Sequence, residues 1–391
     1  MTPPGNPLVS IITPSYNHRR FIQATIESVL SQNYPNIEYL VIDGGSTDGT
    51  PELLQSYADR LQWISERDQG QCDAINKGFR MARGEIVAWL NSDDTYCPGG
   101  LCRAVDHLVS HPELAMVYGR GYEIDESGQV IQEFPAAQAF DYWRLVYLWD
   151  YILQPTVFMR REALFKVGLL DLDLNWAMDW DLWLRFAARY PIGYLPVPIA
   201  NSRIHGQTKT SVGGFPRLRE ILKVMRRHGS LRYPPGFFVY AQDTIQGEIK
   251  ARFPSVDGPV FQRLMAYACQ MCWRRVHRAQ GLFPDGWVSR RANFVFAPHR
   301  GSAVQLRGEI PEFAKILPIK IEIRLRGQRS PLGCEVVERP GLFCLTAPLP
   351  EDCGPRADVE VRSDHSFCPR SRGLGGDPRN LSFMLRDISL V

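Results

Sequence analysis

Between residues 8 and 125 the apolar pattern keeps switching between two periods, and that alternation restricts the fold more than any other feature. Leu8–Thr13 is a short, nearly continuous apolar run of strand length, and Phe21, Ile22, Ile26, Val29 and Leu30 then recur at helical spacing. Ile37–Ile42, Leu61–Ile64 and Ile86–Leu90 predict three further strands, with a helix over 72–82 before the last. Thr50 ahead of Pro51 predicts a helix start, a capping hydroxyl followed by proline at the first helical position. Strands alternating with helices make a mainly parallel sheet with helices on both faces. Ligands of such sheets bind beyond the carboxyl ends of the strands.

That rule directs attention to acids at strand ends. Asp43 closes the second strand, and Asp93-Asp94 in "WLNSDDTY" follow the fourth. Adjacent like charges repel, so the pair calls for something positive. A hard cation such as Mg²⁺ or Mn²⁺ fits, because it takes one or two carboxylates and completes its shell with phosphate oxygens. The competing reading is a solvated turn before Pro98, with Ser92 or Asp93 as a helix cap. No G-x-G-x-x-G follows the first strand and no G-K-[ST] is present, so neither a dinucleotide fold nor a P-loop is indicated.

The remainder divides by texture. Residues 126–175 are irregular, and "FDYWRLVYLWDYILQP" is dense enough in aromatics for a lid or wall. A helix is predicted over 179–190 and a strand over 192–199; residues 216–283 read as helical and basic, broken near Pro234-Pro235 and Pro254. From about 285, short strand-like runs ("AVQLRGEI", "IKIEIRLRG", "GLFCLTAPL", "DVEVRS") alternate with Gly/Pro turns, as in an antiparallel sandwich. The 391 residues therefore divide into 1–215, a helical connection 216–284, and a β-sandwich 285–391. A net charge of +3 is too small to argue for nucleic acid. No apolar run approaches the ~18 residues of a membrane helix. The N-terminus lacks a basic and an apolar region, so no signal peptide is read and a cytoplasmic location is expected. Nine cysteines with a single C-x-x-C, Cys269 and Cys272, read as reduced core thiols.

Five stretches, "SIITPSYN", "VIDGGSTDGT", "SERDQGQCDAINKGF", "GEIVAWLNSDD" and "AMDWDLWLRF", resemble in order and spacing the family 2 nucleotide-sugar-dependent glycosyltransferases of GT-A fold, over residues 8–212. The resemblance implies that Pro14, Tyr16 and Asn17 line the nucleoside and that Asp43 accepts a hydrogen bond from the base. Asp48 is a weaker candidate, with an Asx turn as its alternative. Asp73, Asn76 and Lys77 match the stretch that touches the nucleoside diphosphate. Asp94 would hold the metal and Asp93 the ribose or sugar, although the pair departs from a strict D-x-D and leaves open which acid ligates. His205 matches a histidine that reaches the metal or diphosphate, with Arg203 and Lys209 near phosphate charge. Asp179 matches the general base, with Met178 where the family usually has glutamate. Apolar neighbours Trp176, Met178 and Trp180 would desolvate Asp179 and raise its pKa, against the helix dipole. Gln154, Trp176, Trp180 and Asp181 are assigned to a donor-sugar or acceptor pocket, with Asp181 otherwise supporting the helix start.

The implied activity is inverting transfer of a sugar from a nucleoside-diphosphate sugar to a hydroxyl of a glycan or lipid-linked acceptor, assisted by a divalent cation. A base is needed because a sugar hydroxyl is a poor nucleophile until its proton leaves. A metal-dependent phosphohydrolase or nucleotidyltransferase, and a non-catalytic nucleotide-sugar or glycan-binding protein, are the alternatives. The C-terminal sandwich resembles accessory β-domains beside bacterial polysaccharide-assembly transferases. Arg217, Arg219, Lys223, Arg226, Arg227, Arg274, Arg275 and Arg278 form either a solvated face or a peripheral membrane contact, and self-association is left open.

Overall fold

A computed structural model describes residues 6–206, 208–209, 213–229, 234–253, 281–283, 287–296, 302–328, 330–350, 357–374 and 379–391. The chain divides into two compact units, Met1–Leu145 with Asp150–Val224, and Val146–Trp149 with Met225–Val391.

In the first unit, β1 (Val9–Ser15) pairs in parallel with β2 (Ile37–Asp43) and β4 (Ile86–Trp89), and β2 with β3 (Gln62–Ser65). The sheet runs on through β8 (Phe158–Arg160), β6 (Met116–Ile124), β9 (Ile192–Arg203) and β5 (Thr95–Tyr96), with β7 (Val130–Glu133) on β6. Here only β6 and β9 run parallel, so the sheet is mixed beyond β4. The helices are α1 (Arg19–Leu30), α2 (Thr50–Gln55), α3 (Gln71–Met81), α4 (Gly100–Ser110), α5 (Tyr142–Tyr147), α6 (Arg161–Val167) and α7 (Met178–Ala187). Successive strand residues point to opposite faces, so one face buries Val9, Ile11, Val41 and Ala88 with Ile22 and Ile26 of α1 and Leu101 of α4. On the other face α3 comes so close to β1 that a Cβ at Gly78 would lie 2.4 Å from Ile12. Trp89 stacks on Trp183 of α7 with ring centres 5.3 Å apart.

One local expectation shifts. The α2 cap position is Gly49, at φ +87, and Thr50 is already helical; Asp48 accepts the Thr50 N–H and hydroxyl at 3.1 and 2.6 Å and does the capping instead. In the aromatic stretch expected to form a lid or wall, Tyr151 is fully buried and its hydroxyl bonds the Asp141 backbone.

Helix α8 (Gly214–His228) buries Leu218, Ile221, Val224 and Met225 at helical spacing, and α9 is Pro235–Arg252. In the second unit, β10 (Trp287–Val288), β17 (Phe383–Leu390), β12 (Ala303–Ile310) and β15 (Gly341–Pro348) form one antiparallel sheet. A second comprises β11 (Arg291–Phe296), β16 (Ala357–Ser363), β13 (Ile319–Leu325) and β14 (Gly333–Val337). Inward Val304, Leu306, Ile319, Ile321 and Ile323 are fully buried, as the expected sandwich requires. Cys72 and Cys97 are buried free thiols, but Cys334 and Cys344 are exposed because they fall on outward positions of β14 and β15. The C-x-x-C of Cys269 and Cys272, and Arg274, Arg275 and Arg278, lie outside the described residues. No helix among the described residues is long and apolar enough to cross a membrane.

Candidate functional site

The register sets Ser15 of β1 against Asp43 of β2, and Leu90 hydrogen-bonds Ile12, so the loops after β1, β2 and β4 leave the sheet side by side. Asp43 is fully buried and accepts from the Gly45 and Ser46 N–H groups and the Ser46 and Ser65 hydroxyls at 2.5–3.2 Å. Its carboxylate thus shapes its own loop. Asn17 takes φ +53, receives the Thr47 N–H on its side-chain oxygen at 2.9 Å and donates its own N–H to Ser46 at 2.7 Å. Pro14 is buried at the end of β1, Tyr16 is 63% exposed, and the buried Ser15 hydroxyl has no partner.

Asp94 is 3% exposed, with the Arg203 N–H at 2.9 Å and the Asn91 amide at 3.1 Å. Burial, then the neighbouring Asp93, push its carboxyl well above the usual range, against the Arg203 N–H, Asn91 and Ser202. The Arg203 guanidinium holds the backbone oxygens of Asp93, Asp125 and Glu126 rather than the Asp94 carboxylate. His205 Nε2 lies 3.0 Å from Asp93 Oδ2, and His18 Nδ1 lies 2.8 Å from the Ser92 hydroxyl. Burial lowers the His18 pKa, with Asp93 opposing. The adjacent acids, one of them buried among neutral donors, offer the one or two carboxylates that a hard divalent cation takes from a protein, with the His205 imidazole beside Asp93. Among the described residues no three His, Cys, Asp or Glu side chains form a ready cage, so further ligands would come from phosphate oxygens.

A chain of amides leads away from Asp94. Gln154 donates to the Trp89 carbonyl at 2.9 Å, Asn91 donates to Gln154 at 2.9 Å, and Gln71 donates to Asn91 at 2.8 Å. Rooted in a carbonyl, the chain leaves the Gln71 side-chain oxygen buried without a partner. Cys72, the next residue of α3, touches Met178 and the Leu174 carbonyl at 2.9 and 3.0 Å. The start of α3 therefore ties the Asp94 loop to the segment carrying Asp179.

Asp179 is half-buried in the first turn of α7, its Oδ1 accepting the Trp180 N–H at 2.8 Å. Burial raises its pKa, while the Trp180 and Asp179 N–H groups, Lys209 and Arg217 oppose the rise. Asp150 stands in the same cluster, and burial followed by the Asp179 charge pushes its carboxyl well above the usual range. Burial lowers the Lys209 pKa, and its ammonium holds the Asn175 carbonyl and side chain at 3.0 and 2.7 Å.

Other candidates have interior or local partners. Asp73 accepts the Gln69 N–H at 3.1 Å, and Lys77 pairs with Glu66 at 2.5 Å. Asn76, 2% exposed, exchanges two hydrogen bonds with the Leu170 backbone. Trp180 is buried with its indole N–H on the Leu145 carbonyl, whereas Trp176 is half-buried. Asp181 is fully buried against Arg185 at 2.8 Å, and that guanidinium holds the carbonyls of Val167, Gly168 and Leu169. Asn91, His18, Asp150 and Gln71 were not singled out by sequence. Asn91 carried a signal in its place directly after a buried strand, but the others pair with residues far along the chain.

A family model described as Glycosyl transferase family 2 matches residues 10–168. An uncharacterized glycosyltransferase of Rickettsia prowazekii is 30% identical over 212 residues, 53% of this chain and 67% of that protein. The putative teichuronic acid biosynthesis glycosyltransferase TuaG of Bacillus subtilis is 45% identical over 107 residues, 26% of this chain and 42% of that one. The chain thus spans about two thirds of the first relative and less than half of the second. Among solved structures, residues 1–349 of S. aureus TarS in complex with UDP-GlcNAc align at TM-score 0.47 and 16% identity, covering 69% of this chain and 81% of that chain.

Proposed function

The chain belongs to glycosyl transferase family 2, and on that premise we propose that it moves a sugar from a nucleoside-diphosphate sugar to a hydroxyl of a glycan or lipid-linked acceptor, with inversion at the anomeric carbon. One observation carries the reading. An acid pair beyond the parallel strands, with Asp94 buried, and an acid of raised pKa on α7 are tied together through consecutive residues of α3, Gln71 and Cys72. Donor activation needs the first group and acceptor activation the second.

In this reading Pro14, Tyr16 and Asn17 receive the nucleoside, on a loop that Asp43 shapes from within. Asp94, with His205 and Asp93, holds Mg²⁺ or Mn²⁺, which when bound spreads the negative charge of the departing diphosphate. Asp179 in its ionised form takes the proton of the acceptor hydroxyl while that oxygen bonds to the anomeric carbon. The bond from that carbon to the diphosphate oxygen breaks, and its electron pair leaves with the nucleoside diphosphate. Burial makes Asp179 a stronger base, and Lys209 and Arg217 favour its ionised form against that rise. Exposed Arg219, Lys223, Arg226 and Arg227 on α8 are the described part of the basic stretch, and peripheral contact with an anionic membrane belongs to the same proposal.

The test is a panel of UDP- and GDP-sugars with Mn²⁺, with and without oligosaccharide acceptors. Slow release of nucleoside diphosphate that accelerates with acceptor, and a product of inverted anomeric configuration by NMR, are expected. Release of inorganic phosphate or nucleoside monophosphate would favour a phosphohydrolase or nucleotidyltransferase. Binding without turnover would favour a binding protein.

A further inference from the structure

Ala177 holds the cap position of α7, and its methyl side chain cannot cap the helix; in the first turn Asp179 takes the Trp180 N–H. The first N–H groups of a helix need partners from elsewhere. The amides just ahead of α7, at residues 175–177, find theirs on α8. The Glu220 carboxylate accepts the Asn175 N–H on both oxygens at 2.9 Å, and the Trp176 and Ala177 N–H groups on Oε2 at 2.7 and 3.3 Å. Three consecutive amides of the segment leading into Asp179 thus converge on one acid that lies 41 residues later. Lys209 grips the same segment through Asn175. A Cβ at Gly213 would lie 2.9 Å from the Trp176 ring, so the approach to α8 is close as well. Glu220 also lies beyond residues 10–168, where the family model matches.

We infer that Glu220 is a positioning residue for Asp179: it fixes residues 175–177 and so sets where the base and the Trp176 wall stand relative to the acceptor. The inference rests on the reading of Asp179 as the base. Glu220 acts through geometry, because it bonds backbone amides that lead into α7 and not the Asp179 carboxylate itself. A loop released by about 1 Å loses on the order of 10²-fold in rate. Glu220 belongs to neither the donor loops nor the Asp94 cluster, so donor binding should not notice it.

The experiment uses the full chain and the nucleoside diphosphate, UDP or GDP, that the wild type binds with Mn²⁺. Glu220→Ala should lower kcat for transfer by roughly ten- to a hundredfold, leave diphosphate affinity within twofold, and speed hydrogen exchange at 175–177. Glu220→Gln keeps one acceptor oxygen and should fall between. In an Asp179→Asn background Glu220→Ala should cost nothing further, since a residue acting through another is non-additive with it. A wild-type kcat in Glu220→Ala, or an undiminished additional loss in the double variant, would overturn the inference. If Glu220→Ala does not fold, Glu220→Gln carries the same comparison. Should Asp179→Asn itself retain transfer, the reading of the base fails independently of Glu220.

Discussion

Replacing Asp179 by asparagine separates chemistry from structure. The asparagine oxygen can still accept the Trp180 N–H that Asp179 holds at 2.8 Å, so the start of α7 keeps its bond. What disappears is the ability to take a proton. That ability is typically worth about 10²–10⁴ in rate, or roughly 3–5 kcal/mol of transition-state stabilisation at 1.36 kcal/mol per decade. Removing the charge should not unfold the protein. Burial already disfavours the ionised form, more than Lys209 and Arg217 favour it.

The pKa direction adds a second readout with a definite sign. The base works ionised, so the rate falls as pH drops through its folded-state pKa. Because that pKa is raised, the acid limb should lie above the ~3.9 of an ordinary aspartate. For stability the sign is opposite. A raised folded-state pKa contributes stability that is complete below the unfolded value and disappears as pH climbs through the folded value. Asp179→Asn should therefore match or exceed the wild type in Tm at neutral pH and lose that advantage in acid. The assays are steady-state transfer across pH, diphosphate titration calorimetry with Mn²⁺, and thermal melts. Retention of more than a tenth of the wild-type kcat, or a tenfold loss of diphosphate affinity, would refute the assignment, and Asp150 would be the next acid to test.

Asp94→Ala should abolish Mn²⁺-dependent diphosphate binding by calorimetry, and unchanged affinity would remove Asp94 from the cation site. Asn76→Ala leaves the buried Leu170 N–H and carbonyl unpaired at about 1–3 kcal/mol, so its first thermal transition should fall by several degrees with diphosphate affinity intact; the reverse pattern would return Asn76 to the nucleotide. Asp181→Asn breaks the pair with Arg185, whose side chain is 20% exposed, and should cost about 3 kcal/mol, near the low end for a buried pair, with a smaller loss of kcat than Asp179→Asn. Flotation with anionic liposomes at low salt should carry the full chain upward and release it as salt rises; no association at any salt would end the membrane part of the proposal.

The parallel half of the sheet was legible because its strands are buried on both faces and read as unbroken apolar runs. Strand ends led straight to Asp43, Asp93 and Asp94 for the same reason. In the mixed half the strand expected over 192–199 is β9, whereas β5 is only two residues long, too short to show a period, and its partner comes from far along the chain. Side-chain roles divided along the same line. Whether Asn76 meets a nucleotide or Leu170, and whether Asp181 meets a sugar or Arg185, depends on packing that residue type and spacing do not encode. Asp48 shows the limit of local reading: its capping role was accessible as an Asx turn, yet its bond to the Arg19 N–H joins two loops.

In the proposed reading the donor side and the acceptor side are built by different means, and that bears on which parts can vary. The proposed donor end is assembled from the loops after β1, β2 and β4, with Asn17 bracing the first against the second and His18 reaching Ser92 in the third, all within the segment the family model matches. The segment holding Asp179 draws its fixed points, Lys209 and Glu220, from after β9, outside that match. A chain can therefore keep its donor loops and reset its acceptor side by altering Lys209 and Glu220, whereas His205, also C-terminal to β9, stays with the proposed cation site. Specificity is a difference between affinities, and here the groups that would set it for the acceptor are anchored separately from those that hold the diphosphate. Changes at Lys209 or Glu220 should thus redistribute kcat among acceptors before they change which nucleotide is bound. Glu220 is invisible to a motif because it acts on backbone amides rather than on the substrate.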